Sequence, residues 1–387
     1  MLILVIKLIC MSESLSQAPV SEDISEAIFP FSIAVDPMER LLLVNFEQDP
    51  DSIYLGFEPQ VFDDPINGSG HLIIGWRNDK KVDVYHQKTL NPDPAKYSIT
   101  GAGLHQMIPV EMDKAFYEVN EQGVQAHYLF EDMQQRRVEI FIAERNEAER
   151  KPFGLLAPMG DAALNPASMP LVLLHDFYFV RSQHSDIKLS IDGRDHKLDE
   201  LPMRMDGQKM TFARYSPKPL IAALNAEYKG LLEPISMADR KNTISAGDAE
   251  YRLQWKSNEP QLEAMIVAND IYPITMDFSP AFPSVNAISH GKRVRGRFAI
   301  SGHESVGRIQ GKYFAQQQGD SLHVRLQASQ GWKPKSTKFS TWFLFTFARV
   351  FKKWPSTYQW DAHLRQDKSG DWHMESKWTR TGKILKD

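Results

Sequence analysis

The chain has 387 residues, of which 42% are hydrophobic, 24% charged and 11% aromatic, a composition that fits a globular protein of about two domains and excludes a disordered, collagen-like or coiled-coil chain. Its only cysteine, Cys10, excludes an intrachain disulfide and a cysteine zinc cluster. The net charge of −4 conceals a division, because residues 291–387 carry 19 Lys and Arg against 7 Asp and Glu, whereas residues 1–290 carry 26 against 42. Either the two parts attract each other or the basic part meets an anionic partner.

The first 27 residues are predicted to form a flexible N-terminal segment. Residues 1–10 are apolar but too few to span a membrane, and they lack the basic start and small-residue cleavage site of a signal peptide. Met11 opens a polar run that resembles a natural N-terminus, so Met1 and Met11 both remain candidate start sites. The predicted location is the cytoplasm, with peripheral membrane contact and export left open.

Short strands are predicted along the whole chain, because apolar and polar residues alternate in short runs bounded by Gly, Pro, Asn or Asp. Those of the first half are residues 40–47, 53–57, 71–76, 82–87, 126–130, 138–143, 171–181 and 187–191. Those of the second half are residues 249–256, 261–267, 293–301, 307–316, 321–327, 357–365 and 372–379. Because most of these strands follow one another without a helix between them, they exclude a parallel α/β sheet and indicate an all-β protein built of barrels or sandwiches.

Two helices interrupt this pattern, at residues 108–120 and 220–229. The second has Ser216 and Pro217 ahead of it as cap and first turn, and Gly230 as its stop.

The strand pattern also breaks over residues 216–247, which are predicted to be a linker that contains this short helix. The first β-barrel or sandwich domain then covers residues 28–215. A second β domain, basic and rich in aromatic residues, covers residues 248–387.

Aromatic side chains line the predicted strands. Tyr358 and Trp360 share one face of a strand, and Trp372 and Trp378 share one face of the next, so a hairpin would bring these rings together facing inward. Ordinary core packing is one interpretation, and a ligand pocket is the other. The candidate ligand-binding residues are Trp76, Tyr85, Phe177, Phe179, Trp360 and Trp372.

The common catalytic motifs are absent from the sequence. It contains no phosphate-binding loop, no dinucleotide-binding glycine pattern and no zinc-protease motif, and its twelve histidines form no metal-binding pair. Residues 302–307 approach a nucleophile elbow around Ser305 but have one residue too many before the serine. We therefore predict neither a cofactor nor a metal, and interpret residues 302–307 as a loop.

The most informative polar residues are His175 and Asp176, which lie in an apolar strand and are predicted to be buried on opposite faces. A buried imidazole with a hydrogen-bond partner can act as a general acid or base near neutral pH. His175 and Asp176 are therefore the candidate catalytic residues, with a hydrogen-bonded core histidine as the alternative. Asp83 and Tyr85 form a second candidate pair.

Within residues 333–355, lysines flank an aromatic segment on both sides, which is typical of a segment that lies at a membrane surface. The candidate membrane-surface residues are Lys335, Lys338, Trp342, Phe343, Lys352 and Lys353. Packing as a plug between the domains is the alternative. No recognition motif accompanies the basic residues, so nucleic acid is not a predicted partner.

Residues 130–142, Phe-Glu-Asp-Met-Gln-Gln-Arg-Arg-Val-Glu-Ile-Phe-Ile, precede a Leu-Leu-Ala-Pro-Met-Gly segment at residues 155–160. This strand pair with an acidic, arginine-bearing turn and a following Leu-Ala-Pro segment resembles the tandem lipocalin-like (calycin) proteins of the AttH and carotenoid 1,2-hydratase type. The resemblance covers about thirty residues. It implies two calyx-like β domains and an apolar ligand, and it assigns no catalytic residue.

The predicted function is the binding of an elongated hydrophobic small molecule, such as a lipid, isoprenoid or pigment precursor, in an aromatic-lined β pocket. The first alternative is a cofactor-independent enzyme of the hydratase, lyase or isomerase type that acts on such a molecule through His175 or Asp176. The second is an accessory protein that docks on anionic membranes through residues 333–355. The ligand and the oligomeric state stay open.

Overall fold

The computed structural model describes residues 26–98, 100–158, 166–237, 240–329, 332–335, 339–347 and 356–381. The strands up to residue 224 are β1 (Glu26–Ala27), β2 (Ile33–Pro37), β3 (Arg40–Asn45), β4 (Tyr54–Asp64), β5 (Gly68–Arg77), β6 (Val82–His86), β7 (Leu104–Pro109), β8 (Met112–Asn120), β9 (Gly123–Glu131), β10 (Arg137–Glu144), β11 (Phe153–Pro158), β12 (Met169–Arg181), β13 (Ser185–Ile191), β14 (Arg194–Asp195), β15 (Met210–Ser216) and β16 (Leu220–Leu224).

The later strands are β17 (Tyr228–Leu231), β18 (Ile235–Ser236), β19 (Thr243–Ala246), β20 (Ala249–Lys256), β21 (Glu259–Val267), β22 (Ile274–Pro283), β23 (Arg293–Ser301), β24 (Arg308–Gln318), β25 (Ser321–Ala328), β26 (Tyr358–Gln366) and β27 (Trp372–Arg380). The described helices are α1 (Pro94–Tyr97) and α2 (Phe339–Phe347), with 3-10 turns at Val285–Ala287 and Glu304–Val306. The predicted all-β class is confirmed, and each of the fifteen predicted strands coincides with an observed one apart from its ends.

The described strands form two large sheets and two smaller ones. The first large sheet has the order β2-β16-β12-β15-β3-β4-β5-β6-β7, with β11 beside β12. The second large sheet joins β19 through β27 as consecutive neighbours and adds β17 beside β27. A five-stranded sheet, β14-β13-β10-β9-β8, and the pair β1-β18 complete the arrangement.

Two large clusters of buried side chains hold these sheets together. One joins the five-stranded sheet to one face of the first large sheet and includes Phe57, Tyr128 and Ile140. The other joins the opposite face of the first large sheet to the interior of the second, and includes Ile74 and Trp360. Apolar burial of this kind is the main stabilising contribution to such a fold.

The predicted helices at residues 108–120 and 220–229 are wrong. Residues 108–120 contain the end of β7 and all of β8, and residues 220–224 form β16, which pairs with both β2 and β12. Leu220, Ala222 and Leu224 are buried in alternation, so burial between two neighbouring strands outweighs the helix-favouring composition. The described part of the predicted linker, residues 216–247, therefore holds strands instead of a helix.

The second large sheet encloses aromatic side chains, as the alternation in its last two strands predicts. Trp360 and Trp378 are paired across β26 and β27, and both are almost fully buried. Phe31, from the segment after β1, enters the same interior and lies 4.8 Å from the ring of Phe278 and 5.8 Å from that of Trp360. Most of the predicted N-terminal segment, residues 1–25, lies outside the described residues.

Candidate active site

A β-bulge places the two predicted catalytic side chains next to each other. Leu155 of β11 pairs with Leu174 of β12, and Phe153 pairs with Phe177, so His175 and Asp176 together oppose the single residue Gly154. Strict alternation would put these two side chains on opposite faces, but a bulge redirects them. Nδ1 of His175 lies 3.6 Å from Oδ1 of Asp176, and both side chains are half-buried.

A loop from the second large sheet covers this bulge. The loop joins β23 to β24 and contains the 3-10 turn Glu304–Val306. A Cβ atom on Gly154 would lie 2.0 Å from the carbonyl oxygen of Ser305, so only glycine allows the loop to approach this closely. The site is therefore assembled from both large sheets.

Three rings meet where the loop covers the bulge. The imidazole centroid of His175 lies 5.2 Å from the phenol of Tyr272 and 5.4 Å from the imidazole of His303, and the rings of Tyr272 and His303 are 5.7 Å apart. Nδ1 of His175 and the hydroxyl of Tyr272 are both buried without a hydrogen-bond partner in the described part of the chain. We call His175, Asp176, Tyr272, His303 and Ser305 the His175 site.

The surroundings bring the proton affinities of His175 and Asp176 closer together. Burial lowers the pKa of His175. The carboxyl of Asp176 acts in the opposite direction and raises this pKa, whereas His303 lowers it further. Burial also raises the pKa of Asp176. Two neighbours act in the opposite direction and lower this pKa: His175, and the hydroxyl of Ser216, which donates a 2.9 Å hydrogen bond to the carboxyl. Because the imidazole holds its proton less firmly and the carboxyl holds its proton more firmly, the difference in proton affinity between the two groups is smaller than in water.

His303 and Ser305 form a second polar pair on the loop. The backbone N–H of Ser305 donates to Nδ1 of His303 at 3.2 Å, and the hydroxyl of Ser305 lies 2.7 Å from the same nitrogen. Because Nδ1 accepts the backbone N–H, it carries no proton, and the Ser305 hydroxyl donates to it. The other ring nitrogen of His303, an exposed residue, faces no described partner.

The geometry of the His175 site suits proton transfer. It combines an adjacent imidazole and carboxyl, those of His175 and Asp176, with a buried phenol, since burial raises the pKa of Tyr272 and keeps its hydroxyl protonated as a donor. In the described part of the chain, no group of three His, Cys, Asp or Glu side chains could hold a metal ion.

Tyr272 and His303 were missed by sequence reasoning, and Ser305 was interpreted as a loop residue. Tyr272 lies almost a hundred residues from His175, so no local pattern connects them. The only signal was the Gly-His-Glu-Ser-Val-Gly run at residues 302–307, whose glycines allow the close approach of the loop.

The six predicted ligand-binding residues are divided among three clusters of buried side chains. Phe177 is buried in the cluster that joins the two large sheets, and Phe179 belongs to a small cluster with Met205 and Met210. Trp76 is half-buried on the first large sheet, where its Nε1 donates to Glu58 at 3.1 Å.

Tyr85 belongs to a closed hydrogen-bonded network around the other predicted residue, Asp83. The hydroxyl groups of Tyr85 and Tyr54 are 2.5 Å apart, and Tyr54 donates to Asp83 at 2.9 Å. Arg77 and His105 complete the network, at 2.9 and 2.7 Å from the carboxylate of Asp83. Because each carboxylate oxygen has a partner, this buried cluster is a satisfied structural network.

Trp360 and Trp372 both lie in the interior of the second large sheet. Nε1 of Trp372 donates to the amide oxygen of Asn286 at 2.7 Å. Nε1 of Trp360 is buried and has no partner among the described residues.

The described membrane-surface residues lie on or near α2. Trp342 is 52% exposed and Phe343 is half-buried, while Phe345 on the same helix packs against Trp332. Lys335 is exposed and forms an ion pair with Glu304. The remaining candidates, Lys338, Lys352 and Lys353, lie outside the described residues.

Comparisons of the chain with protein-family models, with curated proteins and with solved structures found no match. The lipocalin-like resemblance therefore rests on the motifs at residues 130–142 and 155–160 and stays a prediction. Among the described helices, none is long and apolar enough to cross a membrane.

Proposed function

We propose that the protein is a cofactor-independent acid–base enzyme of the hydratase or isomerase type, with His175 and Asp176 as its proton-transferring groups. The observation that carries the proposal is the β-bulge, which puts the side chains of His175 and Asp176 next to each other and places the imidazole of His175 against Tyr272 and His303 at the contact between the two large sheets. Bulges commonly redirect side chains next to active sites.

Each residue has a defined part in this reaction. One member of the His175–Asp176 pair gives its proton to a carbon of a substrate double bond. In a hydration, water then adds to the neighbouring carbon and returns its proton to the pair; in an isomerisation, the pair removes a proton from an adjacent carbon instead. The Tyr272 hydroxyl donates a hydrogen bond to a substrate oxygen.

The substrate class is an apolar small molecule. The site lies against the large cluster of buried apolar side chains that joins the sheets, so an apolar substrate would be desolvated there. We also propose that the two large sheets are lipocalin-like units. The consecutive order of β19 through β27 supports this for the second sheet, because lipocalins are built of consecutive antiparallel strands.

Solvent-isotope incorporation tests the proposed activity. The purified protein is incubated in D2O with an apolar extract of the cells that produce it, and the extract is analysed by mass spectrometry. We expect one compound to gain deuterium at carbon, because the transferred proton exchanges with solvent. His175→Gln and Asp176→Asn should each lower the rate by at least about 100-fold.

His363→Gln is the matched control, because His363 is exposed on β26, away from the bulge, and should leave incorporation unchanged. Circular dichroism confirms that each variant is folded. Equal incorporation by wild type and both site variants would contradict the catalytic assignment.

Binding of a hydrophobic molecule without turnover is the second candidate function. It is favoured by the interior of the second large sheet, where Nε1 of Trp360 and the hydroxyl of Ser376 are both buried without a partner among the described residues. Buried polar atoms are normally hydrogen-bonded, so these two atoms would suit a polar atom of an enclosed ligand. Mass spectrometry of the organic extract of the purified protein, against an unrelated protein from the same cells, would identify such a compound.

A further inference from the structure

The outward side of strands β23 and β24 in the second large sheet is strongly basic. Arg293, Arg295 and Arg297 occupy alternate positions of β23, so their side chains lie on the same side of the sheet, and all three are exposed. Lys312 of β24 is exposed as well and is paired with Arg297 by the register of the sheet. We call the surface formed by these four cations the basic face.

The charge of the basic face is not compensated by the sheet that carries it. Among the described residues, no carboxylate forms an ion pair with any of the four cations. Asp361, on the same side of β26, is already bound by Arg325 and His323, each at 2.7 Å. Asp277 of β22 lies diagonally across from Arg297 and forms no ion pair with it.

The acidic part of the chain does not cover the basic face. Residues 1–290 carry 26 Lys and Arg against 42 Asp and Glu, so an attraction between the two parts of the chain would bury the basic residues. In the described part of the chain the four cations are exposed, and the contact between the two large sheets consists mainly of apolar side chains. The positive charge is therefore available to an anionic partner.

An aromatic ring lies among these cations. The register of the sheet pairs Phe314 of β24 with Arg295 on one side and with Arg325 of β25 on the other. The guanidinium of Arg295 lies 5.7 Å from the centroid of the Phe314 ring. The ring is half-buried, so part of its surface stays accessible between the two arginines. Proteins that bind single-stranded nucleic acid combine cations for the backbone with aromatic rings on which bases stack.

The spacing of the cations also fits a row of phosphates. Alternate residues of a β-strand lie about 7 Å apart, which is close to the distance between successive phosphates of an extended single strand. A planar guanidinium can bind one phosphate through two hydrogen bonds. A membrane surface would instead favour apolar side chains that protrude into the lipid, whereas the ring of Phe314 is half-buried. A single strand therefore fits this face better than a membrane does.

We propose that the basic face binds single-stranded nucleic acid. Arg293, Arg295 and Arg297 pair with phosphates along the strand, Lys312 adds to the positive charge, and a base stacks on Phe314. No local recognition motif marks this surface, because its residues come from separate strands and only the register brings them together. The surface is separate from the His175 site, and the proposal does not depend on the proposed activity.

The test compares oligo(dT) with an abasic strand of the same length, which carries the same phosphates but no bases. Both probes are labelled with fluorescein, and fluorescence anisotropy measures their affinity for the protein at low salt. We expect the wild-type protein to bind oligo(dT) about fivefold or more tightly than the abasic strand, because only oligo(dT) offers a base to Phe314. Added salt should weaken both complexes.

Two substitutions separate the phosphate contacts from the stacking contact. Arg297→Gln should weaken binding of both probes by about fivefold and make binding less dependent on salt, because one cation is lost. Phe314→Leu should abolish the preference for oligo(dT) and leave the affinity for the abasic strand nearly unchanged. Arg204→Gln is the matched control, because Arg204 is an exposed arginine in the loop between β14 and β15. It should bind both probes like the wild-type protein.

Failure of the wild-type protein to bind oligo(dT) at low salt would overturn the proposal. Equal affinity for the two probes would also overturn it, because the face would then attract any polyanion without recognising bases. An equal loss in Arg297→Gln and Arg204→Gln would show that the arginines of the basic face have no special part in binding. Binding of phosphatidylglycerol vesicles without binding of oligo(dT) would assign the face to a membrane instead. Circular dichroism confirms that each variant is folded.

Discussion

The two large sheets differ in how they are connected and in what they bury. The second is a run of consecutive antiparallel strands around aromatic side chains such as Trp360 and Phe278. The first brings together strands that are far apart in the chain, such as β3, β12 and β15, and it holds buried or half-buried ionisable side chains, including Glu58 and Arg214. Apolar packing stabilises the second sheet, whereas the first gives up part of its apolar surface to polar groups.

In an all-β chain, ionisable side chains come together where a strand departs from regular alternation. Hairpins with tight turns fix the register, so alternation along β26 and β27 is regular. In the first large sheet, the bulge at His175 and Asp176 breaks alternation and places two ionisable side chains together. The first large sheet therefore supplies the adjacent His175 and Asp176 of the His175 site.

The largest expected effect comes from a substitution in the aromatic interior of the second sheet. Trp360→Ala should lower the free energy of unfolding by about 3–5 kcal/mol, because it leaves a cavity in a packed core. Urea unfolding followed by circular dichroism measures the change. Trp360→Phe, which keeps an aromatic ring, should lose much less. A loss below about 1 kcal/mol in Trp360→Ala would show that the ring is not part of the packed core.

The next effect comes from the ionisable face of the first sheet and depends on pH. The pKa of Glu58 is about 7 in the folded chain and 4.5 ordinarily, so the stability that its neutral form contributes is complete below pH 4.5 and is lost as the pH rises toward 7. Glu58→Gln stays neutral, so its stability relative to wild type should rise by about 2–3 kcal/mol between pH 4 and pH 8.

Urea unfolding at both pH values measures this difference. Glu118→Gln, an exposed substitution on β8, is the control and should show no such trend. A pH-independent difference between Glu58→Gln and wild type would mean that burial does not shift this carboxyl group.

A smaller effect is expected at the contact between the two sheets. Gly154→Ala would force the loop around Ser305 to move, which should lower the free energy of unfolding by about 1–3 kcal/mol. As the loop moves away, His175 becomes less buried and loses its neighbour His303, so the pKa of His175 should rise toward its ordinary value, because burial and the neighbouring imidazole both lower it. NMR titration of the histidines measures this shift. An unchanged titration of His175 in a folded variant would count against the assembled site.

The smallest effect concerns α2. Trp342→Ser should leave the free energy of unfolding within about 0.5 kcal/mol of wild type, because the ring is half-exposed. If residues 333–355 dock on anionic membranes, this substitution should reduce cosedimentation with phosphatidylglycerol vesicles at low salt, and added salt should reduce it further. Tyr228→Ser, another exposed aromatic position, is the control. Failure of the wild-type protein to sediment with the vesicles at low salt would end the membrane proposal.

Much of the fold could be predicted from the sequence, because alternation is a direct consequence of a half-buried strand. The failure at residues 220–229 has a clear physical cause. The helix expected at residues 220–229 has Ala and Leu at positions that a helix also favours, and only pairing with β2 and β12 makes it a strand. Long-range pairing of this kind leaves no local mark in the sequence.

The sites were less accessible to sequence reasoning. Alternation predicts opposite faces for His175 and Asp176, and no local sequence pattern predicts the bulge that brings them together. Glu58 was missed because the predicted strand ends at Phe57, whereas β4 continues to Asp64 and pairs Pro59 with Ile73. The His175 site and Glu58 thus lie where the chain departs from the simplest β pattern.

The position of Phe31 has a consequence for biosynthesis. This ring is made early, but its partners Phe278 and Trp360 leave the ribosome some 250 to 330 residues later. Contacts between such distant residues form late, so the aromatic segment around Phe31 stays exposed on the growing chain until translation is nearly complete. During that interval the nascent protein offers chaperones an apolar segment that the finished protein hides.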